Sequence, residues 1–468
     1  MARRGRARAK PIPLNATTGI PLFHLDVFQE ILKLRVGIAQ ADNGRAFELL
    51  SSIYPLKLHA FASGEEHNCW VIPDDWTVEK ALIRQDGRTL FDGTVHPLAV
   101  VQNSPSMSGK FSKAQLDQHI FTRPAVPEAY AFHFLNTYRP WNRTWGFCVP
   151  HHVWQAWGSG EYEVELATTN RPGTMLVGEA HLAGQSDETI VFNAHTCHPC
   201  QFNDDLAGVA VILELFRWLK ERSRRFSYRA VLGPEHFGTV FYLDRMPRPE
   251  RDRLKMGLFI EMVGIDAPLV LQRSFSGTAL IDRVATHVLS ENDPQLKTGD
   301  FRTIVGNDET VWEAPGIEIP FASLSRCFHP GYYVEYHTSG DDLELNRVDK
   351  LEETLEMLKR MVEIFEEDCT IERNFEGLIA LSNPKYSLYI ERPDPTVAKK
   401  FSEEDVLLGR IQDVLPRYLD GSLTVFEIAK RLHVPFRALR RYLGKFADKG
   451  LIRLSPRTSL ATGRTQTH

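Results

Sequence analysis

The stretch ETIVFNAHTCHPCQFNDDLAGVAVILELFRWLKERSRR, residues 188–225, decides the fold. TIVFNAH is a short apolar run suited to a buried strand. LAGVAVILELFRWLKERSRR, from Leu206 on, has the pattern of a helix with an apolar face and a basic end. Between them, HTCHPCQFNDDLAG (195–208) holds two histidines, two cysteines and two aspartates, all side chains that bind metals.

Working outward, YRAVLGPEH (228–236) and KMGLFIEMVG (255–264) are two further buried-strand runs. Strands alternating with helices predict an α/β domain with a doubly wound, mainly parallel sheet. In such a sheet ligands sit beyond the carboxyl ends of the strands, where His195, Glu235 and Glu261 close or nearly close their runs. This domain is assigned to 20–65 and 159–400. Residues 24–50 are read as helical, from the apolar positions Leu25, Val27, Phe28, Ile31 and Leu32. Residues 66–158 form an inserted β-rich module, with CWVIP, KALIRQDG and PLAVVQN as strand-like runs among turn residues. Its aromatics Tyr138, Trp141, Trp145 and Phe147 suit core packing better than ligand stacking, and the module is placed to roof the cleft. After the proline-marked linker ERPDPTVAKK, residues 402–468 read as a winged helix-turn-helix domain, with its turn at HVP and Gly450 ending the second helix.

A chain of 468 residues suggests about three domains at roughly 150 residues each. A net charge of −5 gives no general attraction to nucleic acid or to an anionic membrane. Arg437, Arg440, Arg441 and Lys445 on the second helix of the last domain are the one basic face, and a packing role is favoured over DNA binding. Six cysteines are too few for a disulfide scaffold in a chain of this length. No run approaches the roughly 18 apolar residues of a membrane span. The basic start MARRGRARAK is read as a solvated tail, so a cytoplasmic, homo-oligomeric protein is expected.

A lone CxxC can be a redox pair or half of a zinc site. No second pair exists for a four-cysteine zinc, and a redox role leaves the aspartates and downstream groups unexplained. Any single buried histidine is most often satisfied by hydrogen bonds. The argument is convergence: His195 or His198, Asp204, Glu235 with His236, Glu261, and His337 in EYHTSGDD (335–342). Imidazole and carboxylate are what zinc accepts at a catalytic site with an open position. A carboxylate shared between metals about 3.5–4 Å apart gives a two-metal hydrolase, so one or two zinc ions are expected. Asp308 and Glu309 are candidate anchors for a substrate ammonium, against a solvated-loop reading. Arg326 is a candidate for a substrate carboxylate, or equally a structural ion pair. His329 is placed near the ligands or on the surface.

This order of motifs resembles the zinc aminopeptidase clan that includes bacterial leucyl aminopeptidases and glutamate carboxypeptidases. NAHTCHP, NDDLAG, PEH, FIEMVG and EYHTSGDD stand where that clan has its strand-end His, bridging Asp, Glu pair, Asp and late Tyr-His-Thr. The likeness is closer to bacterial aminopeptidase-like domain proteins linked to polysaccharide or natural-product biosynthesis, which carry an inserted β module and a C-terminal winged helix. The resemblance implies that Asp204 bridges two zinc ions. His195 and Glu261 would complete one, His236 and His337 the other, with Glu235 as general base. Three departures stand out: Glu261 replaces an Asp, His236 replaces the second Glu, and Cys197 takes the slot of an Asp that orients a ligand. The last makes His198 a competitor of His195. The implied activity is zinc-dependent cleavage of an amide in a small or short peptide-like substrate. The alternatives are a binding protein with an altered site, or a DNA-binding regulator whose enzyme-like domain senses a metabolite.

Overall fold

The computed structural model describes residues 22–134, 136–139, 141–328, 331–392 and 400–460. The basic start, His329 and most of the ERPDPTVAKK linker lie outside these residues. The chain divides into two compact units, Met1–Asp282 with Leu296–Glu356, and Arg283–Gln295 with Met357–His468.

The first unit is a mixed α/β structure on an eight-stranded sheet. From edge to edge its strands are Lys57–Ala62, Thr174–Leu182, Ser227–Gly233, Thr189–His195, Leu254–Ile260, Phe321–Ser325, Val270–Gln272 and Lys297–Gly299. The four central strands, from Ser227–Gly233 to Phe321–Ser325, are parallel to one another. Lys57–Ala62, Thr174–Leu182 and Ser227–Gly233 pair antiparallel, as do Phe321–Ser325 and Val270–Gln272. Every residue of Thr189–His195 and of Ser227–Gly233 is buried. Strands covered on both faces read as continuous apolar runs, which is why these were visible in the sequence.

Helix Ala207–Lys220 follows the His195 strand and buries ten of its residues, while Arg217 and Lys220 lie near its negative end. Its start is pressed onto the end of the next strand. A Cβ on Gly208 would stand 2.1 Å from the Ile260 carbonyl oxygen, so only glycine lets the helix approach so closely.

Residues 24–50 are not one helix. Helices Leu25–Ile31 and Asp42–Ile53 flank an irregular link. Asn43 holds that link open: its Nδ2 donates to the carbonyls of Gly37 and Ile38, and its Oδ1 accepts the Gly37 N–H. Side-chain capture of backbone groups competes with helix formation here.

A second, antiparallel sheet has the order Arg88–Asp92, Asp75–Gln85, Glu161–Arg171, Met107–Ser112. KALIRQDG ends one strand of it at a tight turn, with Asp86 and Gly87 at φ of 50° and 73°. Glu161–Arg171 belongs to this sheet, so the boundary expected at 158 falls too early. PLAVVQN forms no strand. Leu98–Val101 are buried, but only Val100 makes a bridge, to Phe147, because Pro97 and Pro105 close off the run. Trp145 and Phe147 pack in the core of this region with Trp154 and Tyr162, whereas Trp141 is exposed.

In the second unit, strand Cys369–Arg373 lies between Asp420–Thr424 and Ile452–Pro456, all antiparallel. Helix Val425–Leu432 starts at a capping box made by Thr424 and Glu427. His433, at φ 53°, leads to helix Phe436–Asp448, and Gly450, at φ 71°, leads to the last strand. The arginines of that helix are engaged: Arg437 with Glu363, Arg440 with the Glu367 carbonyl, and Arg441 with Glu404. Among the described residues no helix is long and apolar enough to cross a membrane.

Candidate metal centre

The centre lies at the carboxyl end of the parallel strands. His195 ends its strand, and the following 196–206 segment folds back so that Asp204 meets three imidazoles. His195 Nε2 is 3.2 Å from Asp204 Oδ1, while His198 Nδ1 (3.2 Å) and His337 Nε2 (3.1 Å) approach Oδ2. The loop is pinned from behind by two aspartates. Asp205 accepts the N–H groups of His195, Gly208 and Met262, tying strand end, helix start and the Glu261 turn together. Asp341 accepts from the N–H groups of Asn203 and Asp204 and from the Tyr333 hydroxyl.

Glu235 follows its own strand and stands beside this group, with Oε2 3.6 Å from His198 Nε2. The Tyr138 hydroxyl donates to that same oxygen. His236 faces the other oxygen, at 3.6 Å from Oε1, and its ring stacks on Trp70. Glu261 is fully buried, and its Oε2 accepts from the Asn307 amide. Aromatic rings wall the centre. Phe132 stands 5.3 Å from the His198 ring and 5.4 Å from that of His337, and Tyr336 stacks on His337 at 3.9 Å. Backbone bonds hold this wall: Phe132 N–H to the His337 carbonyl and Tyr130 N–H to Ser339 Oγ.

Burial disfavours the Asp204 anion, but His198, His195 and His337 outweigh it and hold its carboxyl well below the usual range. Burial likewise opposes the Glu235 anion, and the bond from His198 with the charge of His236 brings it down to about 2. Glu261 goes the other way: burial, then Asp205 and Glu309, push it well above the usual range. Asp205 lies beside Asp204 and, like Glu261, is pushed well above the usual carboxyl range, chiefly by burial.

Several buried polar atoms here have no hydrogen-bond partner: both ring nitrogens of His195, Nδ1 of His198 and of His236, Nε2 of His337, Asp204 Oδ2 and Glu261 Oε1. Buried polar groups are normally paired, and their concentration at one point is the exception that calls for a reason. A divalent cation supplies one, since these are imidazole nitrogens and carboxylate oxygens gathered at one point. His198, Asp204 and His337 offer ligand atoms all within 4.8 Å of one another, as do His195, Cys197 and His198.

The structure thus brings His195, His198, Asp204 and His337 together, with Glu235 adjacent and Glu261 in their field. His195 faces Asp204 Oδ1 and His198 faces Oδ2. His236 lies outside both close clusters. The substrate contacts expected of three other residues do not fit their surroundings. Asp308 is buried and accepts from the His236 N–H and the Thr239 hydroxyl. Glu309 is fully buried and bound by Gln272, Arg302 and the Asn307 N–H. Arg326 is spent on the carbonyls of Val263, Ala267 and Lys350, on Thr354 and on Glu353. Sequence reasoning missed Tyr138 and Asp341. Asp341 sat inside the quoted EYHTSGDD motif, but Tyr138 had only its place in an aromatic cluster.

A mixed α/β domain with a His/Asp/Glu cluster beyond its parallel strands is the class that fold and site define. The chain belongs to the family described as a domain of unknown function, DUF4910, whose model matches residues 25–368. A Clostridium acetobutylicum protein, named as a candidate polysaccharide biosynthesis protein with an aminopeptidase-like domain, is 27% identical over 335 residues, covering 71% of this chain and 75% of that one. A crystal structure of a candidate peptidase from the same organism superposes with a TM-score of 0.76 at 22% identity, over 92% of this chain and 95% of the other. A zinc aminopeptidase from Bacillus subtilis superposes at 0.53 with 14% identity, over 76% and 96%. At these identities the two structures speak for the fold.

Proposed function

We propose that this protein is a zinc-dependent hydrolase of the aminopeptidase type, cleaving an amide in a small or short peptide-like substrate. The observation that carries the reading is Asp204: its two oxygens face different imidazoles, as a carboxylate shared between two ions requires. His195, His198, Asp204, Glu261 and His337 are the residues that would hold the zinc, with Asp204 as the ligand two ions would share. Zinc, when bound, supplies Lewis acidity to a water and to the amide carbonyl. Glu235, ionised at neutral pH, receives the water's proton and returns it to the leaving nitrogen. Tyr138 and His198 fix one oxygen of Glu235, which sets the direction of that transfer. Phe132 exclude bulk water from one side of His198 and His337.

The Clostridium relative's name favours polysaccharide biosynthesis as the setting. Residues 402–468 are proposed to be a winged-helix domain with a packing role. Its engaged arginines argue against a major-groove helix. The test is zinc content with turnover on a panel of aminoacyl and peptide amides. Zinc below roughly 0.2 per chain after zinc-supplemented expression, a rough threshold for a real site, sinks the reading. Zinc at full content with no amide cleaved by wild type leaves a binding role instead.

A further inference from the structure

We infer that Cys197 is a ligand of this centre, its thiolate adding a sulfur donor beside the imidazoles of His195 and His198. The inference rests on the metal-hydrolase reading above and adds a donor of a different chemical kind.

The backbone continues extended past His195, with the Thr196 N–H still bonded to the Gly233 carbonyl. In extended chain, residues two apart point to the same side, so His195 and Cys197 share a face. His198 follows directly, before the turn at Pro199–Cys200, and its ring reaches the same point. As a result one ligand atom from each of His195, Cys197 and His198 lies within 4.8 Å of the other two. Cys197 is 4% exposed, and His195 and His198 are 1% and 8% exposed. Both nitrogens of His195 and Nδ1 of His198 lack a hydrogen-bond partner. A buried thiol kept only for packing would sit among apolar side chains. This one sits beside two imidazoles that each have a ring nitrogen without a hydrogen-bond partner, and its sulfur accepts the backbone N–H of Glu235 at 3.3 Å. That N–H leaves sulfur lone pairs free for a cation, and it couples the thiolate to the residue that moves the proton. On binding, the thiol proton leaves to solvent as the sulfur–metal bond forms. A sulfur donor shifts the preference of the site towards zinc and cadmium and away from magnesium, calcium and manganese.

The experiment loads cobalt(II) into the full-length protein in place of zinc and records its absorption. Wild type should show visible ligand-field bands and a near-ultraviolet sulfur-to-cobalt charge-transfer band. Cys197→Ser should lose the charge-transfer band and keep the visible ones, and Cys200→Ser should keep both. Visible bands without charge transfer in wild type overturn the inference and leave the metal reading standing. No visible bands at all overturn the metal reading itself. A charge-transfer band that follows Cys200 instead of Cys197 also overturns it. If Cys197→Ser does not fold, X-ray absorption at the zinc edge decides on wild type and Cys200→Ser. A sulfur neighbour at about 2.3 Å in both supports the inference; its absence from either overturns it.

Discussion

Two buried clusters on the same sheet use the same residue types to opposite ends. Around Glu179, the carboxylate accepts from His59 at 2.8 Å and from the Tyr242 hydroxyl at 2.9 Å. Arg229 donates to that hydroxyl and pairs with Glu250 at 2.8 Å. Around Asp204, three histidines approach one carboxylate, but the nitrogens and oxygens that face one another make no directed hydrogen bonds. The first cluster completes itself with protein groups. The second leaves nitrogen and oxygen atoms without a hydrogen-bond partner. Charge follows the same divide, since an arginine balances Glu179 while Asp205 and Glu261 crowd Asp204 with more acid. Satisfaction, more than composition, separates a structural ion network from a ligand set.

The comparison breaks first at Asp204. Asp204→Asn should abolish zinc binding at both positions together, read as metal per chain, whereas Glu179→Gln should leave zinc content unchanged. Retention of one ion by Asp204→Asn would mean that the carboxylate is not shared. Glu235→Gln should keep zinc and lower turnover by about 10²–10⁴-fold, the usual worth of a general base. Unchanged turnover would remove Glu235 from the chemistry. Tyr138→Phe deletes one hydrogen bond to a charged group, about 1.5 kcal/mol, so turnover should fall roughly tenfold with zinc intact. A fall in zinc content would instead make Tyr138 a prop of the ligand set.

The Glu179 side is sharpened by pH. Burial alone would raise the Glu179 carboxyl, but the His59 bond, Arg229 and Tyr242 bring it from 4.5 to about 2. A folded-state value below the unfolded one means stabilisation that is present above about 4.5 and lost as pH falls towards 2. At neutral pH, Glu179→Gln should therefore cost about 2 kcal/mol in urea unfolding. That gap between variant and wild type should close on acidification. A gap that stays constant to pH 3 would show that charge is not what Glu179 contributes.

What the sequence revealed follows the same physics. TIVFNAH, YRAVLG and KMGLFI were legible because strands buried on both faces carry no polar alternation to confuse them. His195, Asp204, Glu235 and His337 were legible because they close those runs or sit in a distinctive loop. Over 24–50 the apolar period alone suggests one helix, because it does not register one asparagine holding the backbone open. Asp308, Glu309 and Arg326 are charged residues near the motifs, and sequence alone does not show that each is already engaged by neighbours. Tyr138 was out of reach: 97 positions separate it from Glu235, and no local pattern encodes that meeting.

The wall built by Tyr130 and Phe132 bears on how this chain can be recombined. Tyr130 N–H bonds Ser339 across 209 positions of sequence, and Phe132 N–H bonds the carbonyl of His337 itself. A chimera that exchanges the 66–158 segment between relatives without 332–341 would sever those bonds and release one wall of the centre. The two stretches form one heritable cassette, so substitutions in one are expected to covary with substitutions in the other across homologues.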